Sequence, residues 1–130
     1  KTSDSRKVVK KMIPIEKVVQ QSANLSSFVS SLYLEDYDLM SKSVVDVIVE
    51  EDRKEMIPEF DNIKEISLKC GAIAVGISGS GPSIFSLSND NNVSNKILDS
   101  IINHYNEQDI DSTGFISKIN SNGIKILESR

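Results

Sequence analysis

A chain of 130 residues with 38% hydrophobic content has apolar mass for one core, so a single domain over residues 1–130 is expected. Nineteen acids against fifteen bases give a net charge of -4, which argues against a broad nucleic-acid surface while leaving room for a local anion site. The lone Cys70 excludes an intrachain disulfide framework, no apolar stretch is long enough to span a bilayer, and Lys1 to Arg6 carry no apolar signal region; a reducing, cytoplasmic setting without a membrane partner is expected.

The elements run helices first, then strands. Thr2 or Ser3 can cap a short helix through Met12, carrying Arg6 near its start and stopped by Pro14. Ile15, Val18, Val19, Leu25, Phe28, Val29 and Leu32 mark the apolar face of a second helix. Tyr37, Leu39, Met40, Val44, Val45, Ile48 and Val49 predict a further long helix from about Asp36 to Met56. Pro58 and Glu59 open the next, with Phe60, Ile63, Ile66 and Leu68 inward and Gly71 at its close. Two short strands, 72–77 and 83–88, flank a glycine-rich loop. Asn89 to Asn92 reads as a turn and cap, and Val93, Ile97, Leu98, Ile101 and Ile102 predict a helix from Asn92 to Tyr105. Phe115–Ile119 and Ile124–Leu127 read as two strands joined by the Asn-Gly turn at 120–123.

The loop Gly76-Ile77-Ser78-Gly79-Ser80-Gly81-Pro82-Ser83 is the most informative segment. Its glycines remove bulk and permit positive φ, so that several N–H groups can face one anion such as a phosphate. The same residues also suit a plain surface hairpin, and neither common phosphate-loop spacing is present.

Arg53, near a helix end, offers a planar fork for a carboxylate, or pairs with the neighbouring acids on a solvated face. Arg6 lies among Lys7, Lys10 and Lys11. Asp46 and Glu50, four apart on the predicted helix, share a face where they can meet Mg²⁺, a substrate ammonium or Arg53; an arginine-orienting role for Glu50 is preferred, and no metal site is assigned. Asn24 and Gln21 are either supporting polar groups or helix-surface amides. His104 and Cys70 read as structural, the tyrosines are too scattered for a stacking platform, and no general base is evident.

Taken in order, Arg6 with Ile13-Pro14, Gln20/Gln21 before Ala23-Asn24-Leu25, then Asp46, Glu50, Arg53, Ile57-Pro58, and Gly71-Ala72 leading into Gly76–Ser83 resemble the homoserine kinase family of the GHMP small-molecule kinases. The loop resembles that superfamily's third motif. The resemblance implies a carboxy-terminal, substrate-binding domain: an α/β, two-layer ferredoxin-like sandwich with additional helices, whose first, central strand would precede Lys1 and be missing here. It implies ATP-dependent phosphorylation of the side-chain hydroxyl of L-homoserine, with Arg6 and Arg53 holding the substrate carboxylate and Gly79, Ser80 and Gly81 flooring the phosphate site. ATP with Mg²⁺ would be held mainly by the amino-terminal half of the same kinase, which becomes a partner; a homodimer is also compatible. Two departures from the family pattern stand out: Glu51-Asp52 replaces a proline and an aromatic residue, and Glu59 replaces a common glycine. Other GHMP kinases, and a non-enzymatic ferredoxin-like interaction module, are the alternatives.

Overall fold

The computed structural model describes residues 6–124 and 126. The elements with described bounds are, in chain order, α1 (Ile15–Leu34), α2 (Tyr37–Ser43), α3 (Glu50–Lys54), α4 (Phe60–Cys70), β1 (Ala74–Ile77), β2 (Ile84–Leu87) and α5 (Asn91–Glu107). Residues 6–8 are also helical, so the first predicted helix ends at Val8 rather than Met12, and its proposed cap lies outside the described residues. The fold is mixed α/β, with helices around a small sheet.

α1 and α2 pack as a pair. Asp36 caps α2, its Oδ1 accepting the Leu39 amide at 2.9 Å. The long helix expected from Asp36 to Met56 is broken after Ser43. Val44, Val45, Val47, Ile48 and Val49 are β-branched and helix-poor, while the Asp46 carboxylate offers its neighbours' amides a non-helical partner. α1 completes the break. Asn24 Nδ2 donates to the Val45 carbonyl at 2.9 Å, and Gln21 Oε1 accepts from the Val47 amide at 2.9 Å.

The predicted apolar stripe of α1 is helical but does not form its packing face. Ser31 is fully buried and Phe28 half-buried, whereas Ile15, Val19, Leu25 and Leu32 are exposed. A similar correction applies to α4, which buries Phe60, Ile63 and Ser67 and leaves Leu68 exposed. Spacings of three and four put the first three on one helix face; Leu68 falls beside it.

β1 and β2 pair antiparallel, with Ala74 opposite Leu87 and Ile77 opposite Ile84. The Phe85 ring lies over Gly76, where a Cβ would stand 2.9 Å from Cε1, so this strand position requires a residue without a side chain. α4 and α5 pack against each other, and both α4 and α3 touch β1. Ala72, Val75 and Ile97 join in a core cluster extended by Ile84, Val93 and Ile101. Asp90 caps α5 by accepting from Asn92 and Val93. Tyr105 donates to the Pro58 carbonyl at 3.1 Å, and burial, followed by the charge of Glu59, raises its pKa.

The strand expected at Phe115–Ile119 is absent, as is strand conformation at Ile124 and Ile126; Lys125 and Leu127 lie outside the described residues. Phe115 and Ile119 are exposed and, among the described residues, have no strand alongside them. β propensity reports a fit to a sheet surface and supplies no partner strand. The intervening turn does form, with Asn120 Nδ2 donating to the Gly123 carbonyl at 2.7 Å.

Glu59, just before α4, adopts φ 59, a left-handed conformation that glycine occupies without strain. Its carboxylate accepts from Asn62 at 2.6 Å and lies 3.2 Å from His104 Nε2, giving His104 a structural role between α4 and α5. These two hydrogen bonds, Asn62 first, lower the Glu59 pKa. A carboxylate depressed in the folded state contributes stability above its ordinary range and loses it as pH falls through the lowered value. Glu59→Gly is therefore expected to gain stability relative to wild type as pH falls below the ordinary glutamate value of about 4.3, where the wild type progressively loses those contacts. Thermal unfolding of both full-length proteins measures the difference; a pH-independent difference would refute the contribution of the carboxylate.

Candidate active site

Asp46, Glu50, Arg53 and Gly79 line one cavity of about 90 Å³, walled by β1 and by Phe85 of β2. Segments far apart in sequence thus bring four of the predicted residues together. Arg53 projects from α3, and its Nη1 donates to the Gly79 carbonyl at 2.7 Å. The Arg53 Nε is buried and has no hydrogen-bond partner among the described residues. A guanidinium has five N–H donors, and a buried donor left unmade is costly, so this geometry favours an added acceptor.

The expected shared face for Asp46 and Glu50 is not present, because Asp46 precedes α3 rather than standing on a helix with Glu50. Asp46 Oδ1 accepts from the amides of Ile48 at 2.9 Å and Val49 at 2.8 Å, fixing the entry to α3. The expected Glu50–Arg53 pairing also fails. Glu50 pairs instead with Lys64 of α4. One oxygen of each cavity carboxylate is therefore engaged elsewhere, and among the described residues Arg53 makes no ion pair.

The glycine loop is closed by its own backbone. Ser78 donates to Ser83 at 2.8 Å and Gly81 donates to Ser78 at 3.2 Å, while neither the Gly79 nor the Ser80 amide donates to another described residue. Gly79 has φ +63, and a Cβ there would meet nothing within 4 Å, so its outer face is open. Gly81 instead backs onto Ile57, at 3.1 Å from a notional Cβ. Ser80 and Gly81 do not line the cavity.

Arg6 is exposed and does not line the cavity either. Its segment is nevertheless tied to α3: the Lys10 amide donates to Asp52 Oδ2 at 3.0 Å, and Lys10 Nζ lies 3.4 Å from Oδ1. The Lys10 amide, ahead of the ammonium, holds the Asp52 pKa below its usual value. Asn24 and Gln21 act through the backbone of 45–47 and make no contact with the cavity.

Sequence reasoning missed Lys64 and the Lys10–Asp52 tie. Their partners lie 14 and 42 residues away on other elements, so no local spacing signals them. Cys70 meets Ser100 Oγ at 3.4 Å, in keeping with a packing role. Among the described residues no group of three His, Cys, Asp or Glu side chains forms a metal cluster, and no helix is long and apolar enough to cross a membrane.

The family described as GHMP kinases C terminal matches residues 28–107. A homoserine kinase of Chlorobaculum tepidum is 34% identical over 99% of this chain, and one of Chlorobium phaeobacteroides is 33% identical over 98%. In both cases this chain spans 40% of the relative's length. The crystal structure of homoserine kinase from Cytophaga hutchinsonii superposes with a TM-score of 0.89 at 36% identity, covering 92% of this chain and 38% of that one. The mixed α/β architecture is that of part of a ferredoxin-like GHMP carboxy-terminal domain. On the agreement of motif order, fold and these relatives, the chain belongs to the homoserine kinase family of the GHMP kinase superfamily, in the carboxy-terminal region of its members.

Proposed function

We propose that residues 1–130 form the substrate-binding, carboxy-terminal domain of an enzyme that transfers the γ-phosphoryl group of ATP to the side-chain hydroxyl of L-homoserine. The observation that carries the proposal is the Arg53 guanidinium, unpaired by carboxylate in a cavity shared with Gly79. Its free edge suits the substrate carboxylate, with Arg6 as the second cation supplied by the segment docked on Asp52. The open Gly79–Ser80 amides suit phosphate oxygens, with Gly81 shaping the loop from behind.

In this reading the hydroxyl oxygen bonds to the γ-phosphorus as the bond to the ADP oxygen breaks, and the hydroxyl proton is released. This chain contributes alignment and charge rather than covalent chemistry. Mg²⁺ would offset phosphate charge, with its ligands supplied mainly by the remainder of the enzyme. A coupled assay of the full-length protein with homoserine and other hydroxylated substrates tests the proposal. Absence of ATP-dependent turnover with homoserine would overturn it.

The remainder of the enzyme also has a place to pack. A groove of about 1320 Å³ runs between β2 and residues 110–119, floored by Ile63 and Ile97, and β2 pairs with β1 alone among the described residues. A strand laid there would satisfy the second edge of β2 and cover apolar surface. Hydrogen exchange at the β2 amides is expected to be at least about tenfold slower in the full-length enzyme than in isolated residues 1–130. Equal exchange rates would refute this placement.

A further inference from the structure

We infer that Lys64 is a positioning residue that keeps Arg53 open to an incoming anion by holding Glu50 away from it. The inference deepens the reading above and depends on it only for the identity of that anion. Glu50 and Arg53 stand three residues apart on α3 and line the same cavity. Side chains at that spacing are neighbours on a helix surface, and an acid and an arginine so placed are natural partners. Here the Glu50 carboxylate is taken by Lys64 of α4 instead.

The competition is decided by placement. The Glu50 and Lys64 side chains are only 14% and 28% exposed, which shelters their attraction from solvent screening. Lys64 is steadied from its own helix, its Nζ lying 5.8 Å from the centroid of the Phe60 ring, which is buried. Asp46, the other cavity carboxylate, is occupied by the Ile48 and Val49 amides. Arg53 is then left with a neutral acceptor, the Gly79 carbonyl, and a buried Nε without a partner. Without the Lys64 charge, Glu50 is free to turn along α3 to Arg53 and compete with the substrate carboxylate for the same donors.

The test uses the full-length enzyme with Lys64→Met, which keeps an apolar stem and removes the charge, together with Glu50→Gln and the double variant. Lys64→Met is expected to raise the homoserine KM about tenfold while kcat and the ATP KM stay within about twofold. The Arg53 Nε–Hε resonance, assigned with Arg53→Lys, is expected to move in Lys64→Met. Adding Glu50→Gln should return both the KM and the resonance to their values in Glu50→Gln, a rescue that a packing role for Lys64 would not produce. An unmoved resonance, or a double variant as impaired as Lys64→Met, overturns the inference. If the wild type fails to phosphorylate homoserine, the substrate reading falls, and the shift of the resonance with its reversal by Glu50→Gln still decides the role of Lys64.

Discussion

Arg53→Ala in the full-length enzyme is expected to lose about 2–5 kcal/mol of homoserine recognition, the range for removing one partner of a desolvated charge pair. A solvated rim arginine would lose about 1 kcal/mol or less. The geometry favours the larger effect, because the guanidinium lines the cavity half-buried and its Nε is already removed from solvent. ATP should be affected less: the one bond from Nη1 to the Gly79 carbonyl is charge-assisted, worth about 1.5–3 kcal/mol, and holds the loop rather than touching ATP. Arg53→Lys should recover only part of the loss, since a compact ammonium cannot reach both Gly79 and a carboxylate with parallel N–H bonds. Steady-state kinetics with homoserine, and with an analogue lacking the carboxylate, provide the measurement. If Arg53→Ala impairs both substrates by the same factor, Arg53 serves structure or general electrostatics and the carboxylate assignment is wrong.

The second large effect is expected at Gly79. Valine there must hold φ near +63, a region that costs a β-branched residue about 1–3 kcal/mol. No protein atom lies within 4 Å of the added Cβ, so the fold meets strain but no clash. The new side chain instead fills the open face proposed for the phosphate. Turnover should therefore fall more than stability, with a rise in the ATP KM. Gly79→Asn separates the two causes, since asparagine tolerates the left-handed conformation better while still occupying the space. It is expected to unfold closer to the wild-type temperature yet remain poorly active. Wild-type ATP kinetics in Gly79→Val would remove the phosphate role from this loop.

Much of the local structure was legible in the residue pattern because its causes are local. The cap within Asn89–Asn92, which the structure places at Asp90, the close of α4 at Gly71 and the β1–loop–β2 hairpin each rest on interactions within a few residues. The order of motifs from Arg6 to Ser83 was also enough to point to the family that the relatives and the superposition establish. The errors occurred where distant segments compete for the same groups. Val44 to Val49 carry a helical apolar spacing, yet Gln21 and Asn24 on α1 offer the backbone other partners and the helix breaks. Phe115 to Ile119 have strand composition and no neighbouring strand among the described residues.

For the site, the sequence by itself determined the chemical inventory: a permanently charged Arg53, two carboxylates nearby, and a glycine loop able to present amides. Tertiary structure decided how that inventory is wired. It seated Arg53 against Gly79, 26 residues away, turned Asp46 onto the amides before α3, and assigned Glu50 to Lys64 across two helices. The reason is physical: an ion pair is won by the cation that the packed helices hold closest and driest, and sequence spacing does not encode that distance.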